Sequence, residues 1–342
     1  MDMSFLEACA RKEPEHTPVW FMRQAGRYLP SYRRIKADRP ILEVAKNPDL
    51  ASEVVVDAVN ALGVDAGIIF ADIMLPLEAI GVDFTIQENI GPVVSSPISG
   101  LDDVNSLGTL DSESDLPYVY AGIDKTIQKL DDRVPLIGFS GAPFTLAAYM
   151  IEGGPSKELQ KTKALMFSEP DTWNALMRKL TEMVKGYLDA QVRHGVSAIQ
   201  LFDSWVGSLS ASDYCQFVSP FTKEIFDSVQ SVPRIHFCAD SAALLEELHR
   251  TGPDVLSIDW RIPIDDPWMR CGESTAVQGN LDPVLAITGG SEMERRVTSI
   301  LGTAAGHKGH IFSLGHGVLK ETPPETLRHI VRVVHEATAR RR

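Results

Sequence analysis

The sequence lacks paired cysteines and a long apolar segment. Its four cysteines, Cys9, Cys215, Cys238 and Cys271, lie far apart without a CxxC pair, which argues against a disulfide framework and predicts reduced thiols in a cytoplasmic protein. The longest uncharged run, Val134–Ile151, contains two prolines and two glycines, so it favours a strand and a loop over a membrane helix. The first sixteen residues contain no apolar stretch, so no signal peptide is expected.

Positive charge is scarce except in one segment. Lys and Arg number 33 against 46 Asp and Glu, a formal net charge of −13, which argues against nucleic acid as a partner because phosphate affinity comes from clustered basic residues. Residues 16–36 read HTPVWFMRQAGRYLPSYRRIK, with five basic residues and no acid. Arg23 and Arg27, with Gly26 between them, can aim two guanidinium groups at one carboxylate-bearing ligand. A solvated basic face is the alternative that charge alone leaves open.

Eight short apolar runs, each followed by a polar or small residue, are spread along the chain. They are Pro18–Met22, Val64–Phe70, Val134–Phe139, Ala198–Phe202, Arg234–Phe237, Val255–Ile258, Ala276–Gln278 and His310–Leu314. Strands of this kind are buried on both faces, as in parallel sheets, and helical patterns lie between them. We therefore predict an α/β fold, a single (β/α)8 TIM barrel domain over residues 1–342 with an N-terminal extension. A doubly wound open sheet is the competing architecture, but no GxGxxG motif follows the first run.

Local signals predict several individual elements. Asn47-Pro48 predicts the start of a helix that ends at Gly63, and Pro170 opens a long helix that ends near Gly195. Thr322 to Glu325 predicts a capping box before a C-terminal helix. Residues 83–97 predict a β-hairpin inserted in the barrel, and the acidic residues 99–117 predict a solvated surface loop.

Polar residues at strand ends are the candidates for function. In a barrel of this class the catalytic groups lie at the carboxyl ends of strands, and this rule selects Asp72, Ser204 and His316. Each has an ordinary alternative, because a strand-end Asp or Ser is often a helix N-cap. His316 lies between two glycines, which favours an accessible side chain.

Six motifs follow one another along the chain. They are PVWFMRQAGRYLPSYR at 18–33, IFADI at 69–73, GFSGAPFTL at 138–146 followed by Tyr149-Met150, LFDSW at 201–205, QGNLDP at 278–283 and LGHG at 314–317. Together they resemble the signatures of the uroporphyrinogen decarboxylases of heme biosynthesis, over essentially the whole chain. The resemblance implies a homodimeric (β/α)8 barrel that removes the four acetate carboxyl groups of uroporphyrinogen III to give coproporphyrinogen III, with no metal and no organic cofactor.

The same resemblance implies the site residues. Asp72 and Arg23 would be catalytic. The substrate-binding residues would be Arg23, Gln24, Ala25, Gly26, Arg27, Asp72, Tyr149, Ser204 and His316, with Ile68, Phe139 and Phe202 as apolar walls. Barrel core is the alternative for the walls, and His316 is expected to add charge near neutral pH. A guanidinium is a poor acid, so bound water, or a proton shared with Asp72 or a substrate carboxyl, is an alternative donor to Arg23.

Two rival functions are open to sequence reasoning. His236-Phe237-Cys238 offers half of the zinc site of a sister family of corrinoid-linked methyltransferases, in which His316 would stand in place of a later Cys. A barrel-strand pair without a ligand role is the simpler interpretation. A non-catalytic porphyrin-binding protein would predict damage at Asp72 or in the arginine pair, and both are intact. Cys238-Ala239-Asp240 departs from the glycine-rich turn common in the family.

Overall fold

Parallel strands form the centre of the molecule. The computed structural model describes residues 3–87, 90–130 and 134–340. Its strands are β1 (Gly67–Ile68), β2 (Phe84–Gln87), β3 (Gly91–Val94), β4 (Leu136–Gly141), β5 (Ala198–Asp203), β6 (Arg234–Cys238), β7 (Val255–Ile258), β8 (Ala276–Leu281) and β9 (His310–Leu314). Seven of them form one parallel sheet in the order β1-β4-β5-β6-β7-β8-β9. They correspond to seven of the eight predicted runs.

The remaining run, Pro18–Met22, is the first along the chain. It lies between the two edge strands, β9 and β1, and closes the sheet. Val19 pairs with Phe312 of β9 in a parallel bridge, and the Phe312 amide donates to the Pro18 carbonyl at 2.8 Å. On the other side, the Asp65 amide donates to the Val19 carbonyl at 2.8 Å, just before β1. The predicted (β/α)8 barrel is therefore confirmed.

The closing segment differs from the prediction in being a bridge and not a regular strand. Pro18 has no amide hydrogen to donate to a ladder. The Val19 amide donates to the Asp65 carboxylate at 2.6 Å and so is not available to a neighbouring strand carbonyl. The ladder on this side is therefore short, and we call the contact of residues 18–22 with β9 and β1 the seam of the barrel.

Helices surround the sheet. They are α1 (Ser4–Cys9), α2 (Pro30–Lys36), α3 (Ile41–Ala45), α4 (Pro48–Leu62), α5 (Leu75–Ala79), α6 (Leu101–Ser106), α7 (Ser112–Asp115), α8 (Pro117–Leu130), α9 (Pro143–Glu152), α10 (Gln160–Ser168), α11 (Pro170–Arg193), α12 (Ala211–Phe217), α13 (Ser219–Ser228), α14 (Leu245–Arg250), α15 (Asp266–Cys271), α16 (Pro283–Thr288), α17 (Gly290–Ala304) and α18 (Pro324–Thr338). No helix in the described ranges has the length and apolar character needed to cross a membrane.

Two predicted helices begin and end as expected. The Asn47 side chain accepts hydrogen bonds from the amides of Asp49 and Leu50, which caps α4. Gly63 ends the helix in the left-handed conformation, with φ of 69°, which a glycine adopts at no steric cost. Helix α11 begins at Pro170, as predicted.

Two local predictions are wrong. Helix α18 has no capping box, because Pro323 is its N-cap and no side chain caps the helix. The Thr322 hydroxyl is instead buried without a partner among the described residues. The acidic residues 99–117 are not one loop, since they contain α6 and α7. Asp103 accepts from the Ser99 and Gly100 amides and so uses its charge to start α6, a local role that the run of acids did not reveal.

The predicted hairpin insertion is present. Strands β2 and β3 are antiparallel, with Phe84 opposite Val94 and Gln87 opposite Gly91. The Val94 amide donates to the Gly153 carbonyl at 2.9 Å. The hairpin therefore lies against the end of α9, the helix that carries Tyr149.

A polar layer fills the barrel interior. Gln278 on β8 donates to Gln200 on β5 at 3.1 Å and to Ser257 on β7 at 2.8 Å, and it accepts from the indole N–H of Trp20 at 2.8 Å. These four side chains are buried. This network links β5, β7 and β8 across the interior and lies beneath the carboxyl ends of the strands. The side-chain nitrogen of Gln200 has no partner among the described residues.

Candidate active site

Three strand-end residues selected from the sequence lie at one end of the barrel. Asp72 follows β1, Ser204 follows β5 and His316 follows β9. Because all strands of the sheet are parallel, their carboxyl ends share one edge. Each of the three side chains is partly buried, so each is both held by the protein and accessible to a ligand.

Asp72 is the central acid of this end. Its Oδ1 accepts from the Met74 amide at 2.9 Å, so the ordinary role of a strand-end Asp in starting the next turn is also present. Burial raises the pKa of Asp72, while the Met74 bond and the Arg23 charge oppose that rise. The site therefore holds a carboxylate in a desolvated position where its interaction with a cation is strengthened.

Arg23 reaches several of the predicted site residues. Its positive charge opposes the rise in pKa that burial causes at Asp72 and Tyr149. At His316, the charge of Arg23 and burial both lower the pKa. Its backbone has φ of 62°, a conformation that costs a non-glycine residue about 1–2 kcal/mol. A Cβ on Gly317 would lie 2.6 Å from Arg23 Cδ, so the missing side chain at 317 leaves the space in which Arg23 lies.

Gln24 forms hydrogen bonds within the protein through both its side chain and its backbone. Its side chain donates to the Ala66 carbonyl at 3.0 Å and accepts from the Phe21 amide at 3.1 Å. Its own carbonyl accepts from the Tyr28 hydroxyl at 2.6 Å, and its amide donates to Phe21. Gln24 thus ties the arginine segment to β1, and its backbone groups are engaged within the protein.

The two backbone amides after Gln24 are not engaged in the way that the Gln24 amide is. Within the described residues, no protein atom accepts from the amides of Ala25 and Gly26. A Cβ at Gly26 would lie 2.9 Å from the Arg23 carbonyl oxygen, so glycine permits the tight turn. Arg33 donates to the carbonyls of Arg27 and Tyr28 at 2.8 and 3.1 Å. Arg23 and Arg27 are exposed, whereas Arg33 braces the turn that presents them.

Tyr149 and Ser204 are brought together by a buried contact. The Thr145 hydroxyl of α9 donates to Asp203 Oδ1 at 2.8 Å, and both residues are fully buried. Tyr149 lies one helical turn after Thr145, and Ser204 follows Asp203 directly. The Tyr149 ring also packs edge-on against Trp205, 5.9 Å between centroids. The helix and the strand end are therefore fixed relative to each other.

His316 does not carry the expected charge. Burial lowers its pKa to about 4, and the nearby charges of Arg23 and Arg261 add to that effect. The prediction that it adds positive charge near neutral pH is therefore wrong for the free protein. The imidazole is neutral there and acts as a hydrogen-bonding group.

Aromatic rings form a continuous row beside these polar groups. Phe139 packs on Phe202 at 5.3 Å, Phe202 on Phe237 at 5.7 Å, and Phe237 on His316 at 5.8 Å between centroids. Ile68, Phe139 and Phe202 are 9%, 7% and 8% exposed, so each is largely buried and keeps a small accessible area. Two of the three predicted walls thus belong to one row.

Three neighbours of the site escaped sequence reasoning. Phe237 lies in the aromatic row, and the inward alternation of β6 was the available signal. Gly317 makes room for Arg23, which only a spatial contact shows. The Arg261 guanidinium lies 4.0 Å from the centroid of the Trp260 ring. It also pairs at 3.0 Å with Asp240, which belongs to the turn that departs from the family pattern.

His236 and Cys238 lie on the opposite face of β6 from Phe237. The His236 ring packs against Phe226 of α13 at 5.3 Å, and burial raises the pKa of the Cys238 thiol far above its usual range. Neither residue belongs to a group of three or more candidate metal ligands in the described ranges. The geometry therefore does not combine them with His316 in a zinc site.

Sequence comparison gives the family. The family description "Uroporphyrinogen decarboxylase (URO-D)" matches residues 2–337. The chain belongs to the uroporphyrinogen decarboxylase family. The resemblance seen in the six motifs is confirmed, and the family is one of enzymes.

Relatives match along nearly their whole length. A uroporphyrinogen decarboxylase from Roseiflexus sp. (strain RS-1) is 46% identical over 342 residues, covering 98% of each chain. One from Thermobifida fusca (strain YX) is 47% identical over 340 residues, covering 99% of this chain and 94% of the relative. The similarity therefore covers nearly the whole chain.

Solved structures agree on the fold. A methyltransferase from Methanosarcina mazei superposes with a TM-score of 0.81 at 18% identity, covering 98% of both chains. A B12-independent methionine synthase from Shewanella sp. W3-18-1 superposes with a TM-score of 0.57 at 9% identity, covering 85% of this chain and 88% of that one. At such identities the likeness shows the shared barrel alone.

Proposed function

We propose that this enzyme decarboxylates the four acetate side chains of uroporphyrinogen III to give coproporphyrinogen III in porphyrin and heme biosynthesis. The observation that supports it most is Asp72, a desolvated carboxylate at the open end of the barrel, beside Arg23. Family membership and the relatives' names give the reaction class. The site adds residues suited to each part of such a substrate.

The reaction needs an electron sink, because loss of CO2 from an acetate leaves a carbanion. A pyrrole ring supplies its own sink when one ring carbon is protonated, which creates an iminium-like cation. Cleavage of the C–CO2 bond returns its electron pair to that cation. The exocyclic carbon then takes a proton, the ring carbon loses one, and a methyl group remains.

Asp72 stabilises the cationic ring in this proposal. A carboxylate has about four lone-pair sites, enough to accept the four pyrrole N–H groups of a domed macrocycle. An ion pair about 4 Å long at an effective dielectric constant near 20 gains about 4 kcal/mol. Felt only in the transition state, that gain is worth roughly a thousandfold in rate. Rotation of the substrate by one pyrrole preserves this central contact, so one site serves four cycles.

The arginine turn binds the peripheral carboxylates. Arg23 and Arg27 are exposed cations, and the amides of Ala25 and Gly26 lack protein acceptors within the described residues. Charged donors of this type form strong bonds with carboxylates. Gln24 does not contact the substrate in this proposal. It holds the turn that carries Arg23 and Arg27 against the segment before β1.

The remaining groups orient the substrate. Tyr149 and Ser204 donate hydroxyl hydrogen bonds to carboxylates, and neutral His316 donates one N–H. An approaching anion would raise the pKa of His316, because negative charge favours its protonated form. Ile68, Phe139, Phe202 and Phe237 lie against the apolar ring.

The test is anaerobic incubation of the chelator-treated protein with uroporphyrinogen III, followed by chromatography of the oxidised porphyrins. Products with seven, six, five and then four carboxyl groups are expected. Tight binding without product would replace this proposal with a carrier function. Methyl transfer that appears only with zinc would replace it with the methyltransferase function.

We also propose that the chain is one domain over residues 1–342, and that it acts as a cytoplasmic homodimer. The family resemblance supports both statements, and the cysteines, which are free, agree with a reducing compartment. Sedimentation equilibrium of the purified protein should give twice the chain mass of 37.6 kDa. A monomer at micromolar concentration would contradict the homodimer.

A further inference from the structure

His16, Asp65 and His335 form a cluster outside the proposed active site. Asp65 lies just before β1, whereas Asp72 follows that strand, so the two acids are at opposite ends of the barrel. His16 comes from the segment that enters the seam, and His335 comes from the last turn of α18. The cluster thus joins three parts of the chain at the amino-terminal face, where barrels place stabilising features.

The geometry of the cluster is tight. His16 Nε2 lies 3.1 Å from Asp65 Oδ1, and His335 Nε2 lies 2.8 Å from Asp65 Oδ2. The two imidazole rings are 4.1 Å apart between centroids. Asp65 is only 4% exposed.

These three groups also match a metal site. Their ligand atoms lie within 4.8 Å of one another. Ligands bound at about 2.0–2.2 Å around a tetrahedral zinc ion stand roughly 3.3 Å apart, close to the two nitrogen–oxygen separations here. Two imidazoles and one carboxylate are a known zinc donor set that leaves one position for water. An imidazole binds a metal through the lone pair of an unprotonated nitrogen. Binding through Nε2 therefore requires the ring proton of each histidine to lie on Nδ1.

We propose that His16, Asp65 and His335 bind a divalent transition metal of the zinc type, which fastens the seam of the barrel. The seam is a short ladder in the closed sheet, since Val19 makes only a bridge to β9, and β1 beside it pairs with β4 at only two positions. Nearby bonds already tie the same parts together: the Thr17 amide donates to Thr338 Oγ1 at 2.9 Å. The metal would add a link between residue 16, the segment just before β1 and helix α18.

This site is structural and separate from the decarboxylation. Its ligands lie at the far end of β1 from Asp72, and none of them is assigned to the substrate. The segment that carries His16 continues into the arginine turn, so the metal would restrain the base of the element that presents Arg23. Loss of the metal would therefore lower stability before it lowered the rate of the chemical step.

The experiment is titration of the chelator-treated full-length protein with cobalt alone and then zinc alone. We expect one equivalent of cobalt with visible bands of a nitrogen and oxygen donor set, displaced by zinc, and a higher melting temperature with either metal. His335→Gln and His16→Gln should weaken binding by at least ~100-fold, since each removes a ligand. Glutamine can still donate to Asp65, so these variants are expected to fold.

His329→Gln is the matched control, because His329 lies on the same helix and also contacts an acid, Glu294. It should bind metal like the wild type. The proposal is overturned if the wild-type protein binds neither metal, or if both ligand variants bind as the wild type does. A cobalt spectrum with thiolate character would also overturn it, since that places the metal at a cysteine. If a ligand variant fails to fold, the wild-type titration still tests the proposal, because failure to bind either metal overturns it.

Discussion

At the scale of single residues, the role proposed for Asp72 would oppose stability. Its folded-state pKa is raised, so keeping it ionised at neutral pH costs folding free energy. Asp72→Asn should keep the acceptor for the Met74 amide, lose nearly all activity, and unfold with a free energy equal to or higher than that of the wild type. The measurements are product formation and urea unfolding at pH 7.

The sign of this effect can be followed with pH. The folded protein takes up a proton at Asp72 at a higher pH than the unfolded chain does. The stability advantage of the Asp72→Asn variant should therefore shrink as the pH falls through the folded-state pKa towards 3.8, the ordinary value. Turnover by Asp72→Asn near the wild-type rate would refute the role given to this carboxylate.

Arg23 is strained in a way that a pair of variants can measure. Both Arg23→Ala and Arg23→Gly remove the guanidinium and should lower kcat/KM by roughly 10- to 100-fold, the value of a charge-assisted hydrogen bond. Glycine accepts the φ of 62° without strain, so Arg23→Gly should be more stable than Arg23→Ala by about 1 kcal/mol. Equal urea midpoints would show that the backbone at 23 relaxes when the side chain is lost.

Gly317 is expected to control the position of Arg23. Gly317→Ala places a methyl group 2.6 Å from Arg23 Cδ, which must move the arginine and should lower kcat/KM about tenfold or more, the effect of a slight misplacement. Gly302→Ala is the control, because nothing lies within 4 Å of a Cβ there. Gly302 is within α17, so its substitution should stabilise by up to about 1 kcal/mol. Equal kinetics of the two variants would remove Gly317 from the site.

At the scale of elements, α4 shows a boundary that the sequence specifies. Asn47 caps two amides, so Asn47→Ala should lower the unfolding free energy by about 1 kcal/mol. Asn47→Asp keeps an acceptor and should lose little. Neither change touches the site, so kcat/KM should stay at the wild-type value. An unchanged urea midpoint in Asn47→Ala would mean that packing alone sets the start of α4.

At the scale of the whole molecule, buried histidines should make stability sensitive to acid. The pKa values of His310 and His316 are both lowered to about 4 by burial, against an ordinary value of 6.5. Between those values the unfolded chain binds protons that the folded protein does not. The unfolding free energy should therefore keep its full value above pH 6.5. It should fall as the pH drops towards 4, by at most about 3 kcal/mol for each histidine.

Comparison of variants isolates this effect. His194 works in the opposite direction, because burial lowers its pKa but hydrogen bonds to Asp124 and Glu113 outweigh burial, and the net shift is upward. Urea unfolding of wild-type and His310→Gln protein at pH 7 and pH 5 cancels that contribution. The loss of stability between the two pH values should be smaller in His310→Gln. An equal loss would show that His310 becomes protonated in the folded state at pH 5.

The proposed metal site changes how one assay must be interpreted. Zinc content alone does not distinguish a methyltransferase from a decarboxylase, since His16, Asp65 and His335 form a candidate site far from Asp72. Zinc that is lost in His335→Gln would be structural. Zinc that is lost only in Cys238→Ser would point to the other face of β6.

The sequence by itself determined the barrel, its strand ends and the family. Apolar runs, turn residues and caps act over a few neighbouring residues, and ordered motifs carry the family pattern. The strand-end position of Asp72 and the Asn47 cap were therefore predictable, whereas the roles of Asp72 and Arg23 stay predictions. Local patterns failed where the role of a side chain depended on its surroundings. The Thr322 hydroxyl is buried without a partner among the described residues, and Asp103 in the acidic stretch binds the amides at the start of α6.

Only the tertiary structure decided which distant residues meet and what charge they carry. Gly317 lies against Arg23 and Phe237 extends the aromatic row, because strands far apart in sequence are neighbours in the closed sheet. Burial, which no local pattern measures, keeps His316 neutral. The seam likewise brings His16, Asp65 and His335 together, and their contact depends on the closure of the barrel rather than on any spacing along the chain.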